Sequence, residues 1–205
     1  MNTTINNSAI SVSIKHSGAE LFSLKDNQNK EYIWEGNPDF WGKHSPVLFP
    51  IVGTLKNNTY TIEGKEYQLS RHGFARDMEF NLVEKTENSV VFSLESNEET
   101  LKKYPFEFEL QLIYTLEDTS LHIEYKVINK SGKKLPFSIG AHPAIALPEN
   151  FDAKRKKATA NQEDFIPLKT ASYFKDPELG NNVMHKMKPT DKVNLNKMCR
   201  HYRCA

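Results

Sequence analysis

The chain has 205 residues, of which 38% are hydrophobic and 26% charged, with a formal net charge of +1. That is enough apolar material for one large core and too much for a disordered protein. No run approaches the roughly 18 apolar residues of a membrane span, and Met1 to Asn7 has neither the basic nor the apolar region of a secretory leader, so a soluble, cytoplasmic protein with no membrane partner is expected.

From the start of the chain the apolar period is two. Strands are expected at Ile10 to Ile14, Glu20 to Leu24, Tyr32 to Trp34, Thr59 to Ile62, Glu66 to Leu69, Glu79 to Glu84 and Val90 to Glu95, with turn residues at Glu63-Gly64-Lys65 and Glu87-Asn88-Ser89. Asn97 to Tyr104, stopped by Pro105, is the one good helix candidate. Phe106 to Leu112 and Leu121 to Val127 alternate apolar with polar around a Glu117 to Ser120 turn, which describes an antiparallel hairpin. Short alternating strands at close spacing predict a mainly β, antiparallel sandwich rather than βαβ units.

Residues 1–150 read as that β-sandwich domain. Residues 151–205 differ in kind, with twelve Lys/Arg against six Asp/Glu and no strand or helix period. The basic end has few aromatic residues and no nucleic-acid motif, so no nucleic-acid partner is expected. Cys199 and Cys204 flank His201 there, too few ligands for a closed zinc site, and neither a metal nor another cofactor is expected. From about Asn181 onward the segment is expected to be poorly ordered and to add little to the core.

Two motifs carry titratable chemistry. Arg71-His72-Gly73-Phe74-Ala75-Arg76-Asp77 sets an imidazole, two guanidiniums and a carboxylate around one glycine. Ser138-Ile139-Gly140-Ala141-His142-Pro143 places a second histidine beside a proline. Histidines at the ends of two strand-like runs fit a shared cleft for proton transfer near neutral pH. They fit equally a pair of turn-capping side chains. In an extended segment Arg71 and Arg76 fall on opposite faces, so one of them, with Arg76 preferred, would reach a ligand. Arg76 could equally form a surface pair with Asp77 or Asp39.

Four words in order, Ser45 to Gly53, Tyr60 to Tyr67, Arg71 to Asp77 and Gly140 to Pro143, resemble the aldose 1-epimerase (galactose mutarotase) family, in particular its LacX-like branch, from about Ile10 to Pro148. The resemblance implies the wide supersandwich of mutarotase-like proteins, a small-molecule sugar substrate and interconversion of α and β anomers. It also implies His142 as general acid at the ring oxygen and His72 as the residue that steadies that oxygen, with Arg76 and Arg71 binding the substrate, an aldohexose or a phosphosugar. Thr54 stands where many members carry an arginine, and Lys56 is the substitute. Trp34, Phe40, Trp41 and Phe74 are candidates for sugar stacking, with core packing the competing role.

Members of the family place a glutamate base in the last third of the fold, before a Pro-Trp-like sequence. Beyond Pro148 the acids Glu149, Asp152, Glu163, Asp164, Asp176, Glu178 and Asp191 lack that setting. The sequence therefore reads as a C-terminally truncated or altered member with doubtful turnover. The alternatives are a non-catalytic sugar-binding protein and an inactive fragment of the same fold.

Overall fold

The computed structural model describes residues 1–146, 169–175 and 182–185. The strands run in chain order as β1 (Asn2–Asn6), β2 (Ile10–Lys15), β3 (Leu21–Asp26), β4 (Val47–Leu48), β5 (Thr59–Ile62), β6 (Lys65–Gln68), β7 (Asn81–Lys85), β8 (Ser89–Glu95), β9 (Phe108–Glu117), β10 (Ser120–Asn129), β11 (Gly140–Ala141), β12 (Lys169–Lys175) and β13 (Asn182–His185). One helix, α1 (Glu98–Lys103), sits between β8 and β9.

Two layers enclose the core. The first is β1-β2-β3, antiparallel throughout, in which Thr3, Ile5, Ile10, Val12, Ile14, Leu21 and Leu24 are buried. The second is a six-stranded sheet in the order β13-β12-β10-β9-β8-β7. β9 and β10 form the expected hairpin, paired from Phe108↔Asn129 to Glu117↔Ser120, and every second residue along each is buried. Its turn places Asp118 at φ 51°, a left-handed position that aspartate tolerates.

The helix forms where its caps dictate. Asn97 Oδ1 accepts the N–H groups of Glu99 and Thr100, both at 3.0 Å, while Thr100 Oγ1 accepts the Asn97 N–H at 2.8 Å. Glu98 and Glu99 in the first turn and Lys102 and Lys103 in the last complement the helix dipole.

Several elements depart from the sequence expectation. Tyr32 to Trp34 makes one isolated bridge, Ile33 to Ile145, rather than a strand; the Glu31 carboxylate takes the N–H groups of Leu24 and Ile33 and shares that of Tyr32 with Leu24 O. β1 was not expected; Thr3 and Ile5 alternate with polar residues too briefly to stand out. β12 and β13 extend the large sheet past Pro148, with β12 parallel to β10; the expectation of poor order from about Asn181 falls almost wholly on residues outside those described. Residues 186–205 lie outside the described residues, as do the two cysteines.

The layers are tied by apolar packing and by a few buried polar bonds. The Phe49 ring meets Phe74, Tyr104, Phe108 and Phe137 at centroid distances of 5.1 to 6.4 Å. The buried Tyr114 hydroxyl on β9 donates to the carbonyl of Ala19, between β2 and β3, at 2.6 Å. Tyr114→Phe keeps the ring and strands that carbonyl, so a loss of about 1–2 kcal/mol is expected in urea unfolding. An unchanged midpoint would show that the bond contributes nothing.

Candidate active site

The site is built outward from β4. On one side β4 pairs with β11, Leu48 opposite Gly140 and Val47 opposite Ala141. The His142 N–H donates to Pro46 O at 3.2 Å and the Ser138 N–H to Pro50 O at 2.9 Å. On the other side Phe49 bridges to Gly73, and Phe49 O accepts the N–H groups of Phe74 (3.0 Å) and Ala75 (3.2 Å). The chain from Pro46 to Gly53 is thus bonded to both histidine segments at once.

Two left-handed residues make this close approach possible. Gly73 has φ 73°, and a Cβ there would run into the Phe49 carbonyl and Pro50 N, so glycine is required. His72 takes φ 68°, a costly conformation for a residue with a β-carbon. It is held by a reciprocal pair of bonds: His72 N–H to Gly53 O at 2.8 Å, and Gly53 N–H to His72 Nδ1 at 3.0 Å.

That second bond determines the ring's chemistry. A backbone N–H aimed at Nδ1 requires Nδ1 to be an acceptor, so the proton of the neutral ring sits on Nε2. The Arg71 Nε–H is aimed at the same Nε2, at 3.1 Å. With both facing atoms protonated, the exposed Arg71 side chain is the partner free to yield. His72 can then offer its Nε2–H to an oxygen placed there.

The electrostatics favour the neutral form of both rings. The His72 pKa is lowered by burial first, then by the charges of Arg71, Arg76 and His142. The His142 pKa is lowered by burial, then by Arg71 and Arg76. Both guanidinium charges therefore bear on both imidazoles, and the extended backbone on which the opposite-faces expectation rests is not the one that forms. The segment is not extended: it turns left-handed at His72 and Gly73 and enters a 3₁₀ turn at Ala75–Asp77. Arg76 donates to Arg71 O at 2.9 Å, and its Nε lies 3.4 Å from Asp77 Oδ2, so the surface pair and proximity to the histidines coexist.

The remaining sequence candidates separate clearly. Lys56 stands exposed in the 3₁₀ turn Lys56–Asn58 and is not among the charges acting on either imidazole. Phe74 is in the core, 6% exposed, while Phe40 is 80% exposed. Trp41 meets the site, its indole 4.9 Å from the His142 ring. Sequence reasoning did not anticipate the Gly53 N–H, a backbone group without a side-chain signature. It also missed buried Glu20, which accepts the N–H groups of His44 (2.7 Å) and Ser45 (3.0 Å) at the entry to β4. The acids from Glu149 to Asp191 lie outside the described residues.

A cavity of about 620 Å³ opens beside α1 and the β5–β6 hairpin, between Tyr67, Leu69, Phe74 and Lys103, but neither histidine lines it. The convergence of titratable groups at β4 is the stronger indication of chemistry. Among the described residues no three metal-binding side chains come together, and no helix is long and apolar enough to cross a membrane.

Fold and site together define a mutarotase-like β-sandwich. The sequence model of the aldose 1-epimerase family matches residues 1–192, and the chain belongs to that family. It is 40% identical over 154 residues to the plasmid and chromosomal LacX proteins of Lactococcus lactis subsp. lactis, an alignment covering 72% of this chain and 52% of each relative. The chain thus spans about half the length of the curated relatives it matches. Among solved structures it resembles a galactose mutarotase related enzyme from Lactobacillus acidophilus, at 46% identity and a TM-score of 0.72, covering 73% of this chain and 50% of that one. A galactose mutarotase-like protein from Lactobacillus casei gives 41%, 0.71, 75% and 52% for the same measures.

Two outcomes are expected of the purified chain. Gly73→Ala should destabilise it by about 3 kcal/mol in urea unfolding, from left-handed strain plus the collision with Phe49; a loss under about 1 kcal/mol would contradict the close approach. His44, like His72 and His142, has its pKa lowered from 6.5, by burial first. Their depressed values mean that the unfolded chain takes up protons first on acidification. Stability should therefore be flat above about pH 7 and fall as pH drops through about 6.5 toward the folded values. A urea midpoint that rises over that window would contradict the sign.

Proposed function

We propose that this chain binds an aldohexose, or its phosphorylated form, between His72 and His142 and promotes exchange of the α and β anomers weakly. The observation that carries this reading is the Gly53 N–H on His72 Nδ1, which turns one of the paired imidazoles into a fixed hydrogen-bond donor. His72 Nε2–H steadies the ring oxygen. His142, protonated, gives its proton to that oxygen as the bond from C1 breaks, the electron pair going to the oxygen. The anomeric hydroxyl loses its proton to water or a base, leaving the open-chain aldehyde, which turns about the C1–C2 bond and recloses by the reverse steps. Arg76 and Arg71 bind sugar hydroxyls or a phosphate group, for which a guanidinium fork is suited.

Among the described residues no carboxylate is among the charges shifting either imidazole. Loss of one positioned base lowers a rate by about 10²- to 10⁴-fold. Weak turnover follows if no carboxylate outside the described residues serves as that base, with a non-catalytic sugar-binding protein as the second reading. Polarimetry on freshly dissolved α-glucose or α-galactose should show a rate only slightly above buffer that falls to the buffer rate in His142→Ala. Saturation-transfer NMR should detect weak aldose binding that survives this change. Binding without any acceleration would select the second reading, and no binding of neutral or phosphorylated aldoses would remove both.

A further inference from the structure

The loop from β3 to β4 is fastened to both histidine segments. The Trp41 N–H donates to Asn37 O at 2.8 Å, and the Trp34 Nε1–H donates to Trp41 O at 2.9 Å, so the Trp41 backbone is held on both sides. Two residues on, Lys43 Nζ donates to Asp77 Oδ1 at 2.9 Å and reaches Arg76 O at 3.4 Å. The buried Glu20 carboxylate fixes the backbone of His44 and Ser45. The next contacts run to the other segment: Ala144 N–H to His44 O at 2.8 Å and His142 N–H to Pro46 O. From this bracket the Trp41 indole stands 4.9 Å from the His142 imidazole, with the ring planes 38° apart.

We propose that Trp41 is the positioning residue for His142, its indole fixing the plane of the imidazole and favouring the protonated ring over the neutral one. The proposal rests on the role assigned above to His142. A half-buried imidazole can rotate about two side-chain bonds, and a ring packed on its face removes most of that freedom. The indole face is electronegative and attracts a cation lying against it. The charged groups acting against protonation are Arg71 and Arg76 on the neighbouring segment, and His72 shares the site. Lys43 on the loop itself is already paired with Asp77. Trp41 thus offsets part of the cost of forming the imidazolium that the proposed reaction requires.

The test is a histidine NMR titration of the full chain, with His142→Gln used to identify the resonance among seven histidines. In Trp41→Leu the His142 midpoint should fall by about half a pH unit, the size expected from an exposed cation–π contact. In Trp41→Phe, which keeps an aromatic face, it should stay within a few tenths of the parent value. Apart from His72, which feels the charge of His142, the remaining histidine midpoints should not move in either variant, and retained strand signal in circular dichroism establishes folding. An unchanged midpoint in folded Trp41→Leu overturns the proposal, and so does an equal fall in both variants, since a purely structural role would not distinguish leucine from phenylalanine. If Trp41→Leu does not fold, Trp41→Phe and Trp41→His decide the matter: a second imidazole in place of indole must lower the midpoint more than phenylalanine does, and the reverse order overturns the proposal. No sugar is present in these titrations, so failure of anomer exchange in polarimetry is read separately from their result.

Discussion

The backbone of Pro46 to Gly53 is the constraint on which the rest of the site depends. It pairs with β11 on one side and meets Gly73 on the other, so one short segment brings together two histidines seventy residues apart in sequence. Neither histidine segment has a strong periodic pattern of its own. Each is positioned by backbone bonds to the same partner, and the Phe49 ring, buried among four other aromatic rings, anchors that partner to the core. Packing thereby fixes β4, and β4 fixes the imidazoles.

The local electrostatics work against the chemistry that the imidazoles are proposed to perform. Burial and two arginine charges depress both pKa values, leaving less imidazolium at neutral pH. For His72 this is consistent with a donor role that needs only the neutral ring. For His142 it means that the acid form is scarce and correspondingly strong. An anionic group on a bound sugar, placed against the guanidiniums, would cancel part of that field and raise both values.

Much of this was legible in the sequence, for identifiable reasons. Period-two alternation located β2, β8, β9 and β10 because one face of each is buried; β5 alternates too, although none of its residues is fully buried. Asn97 and Pro105 delimited the helix. The words carrying His72 and His142 were readable because glycine and proline mark unusual backbone, and the reason three of the four words occur together is now visible: Ser45 to Gly53, Arg71 to Asp77 and Gly140 to Pro143 touch one another around β4. What was not legible depends on distant contacts. β4 and β11 have two residues each, too few for any period. The arginines could not be placed without knowing that His72 is left-handed. Trp41 was one of four aromatic candidates until the loop bracket set it against His142. The parallel pairing of β12 with β10 has no signal in alternation alone.

The account's central claim is that the Gly53 N–H pins His72 Nδ1 as an acceptor, which leaves the proton on Nε2. Long-range ¹H–¹⁵N NMR correlation of the His72 ring between about pH 7 and 8 reads this directly, because protonated and unprotonated ring nitrogens resonate far apart. The account predicts an unprotonated Nδ1 and a protonated Nε2 across that range. A His72 ring carrying its proton on Nδ1 would contradict it.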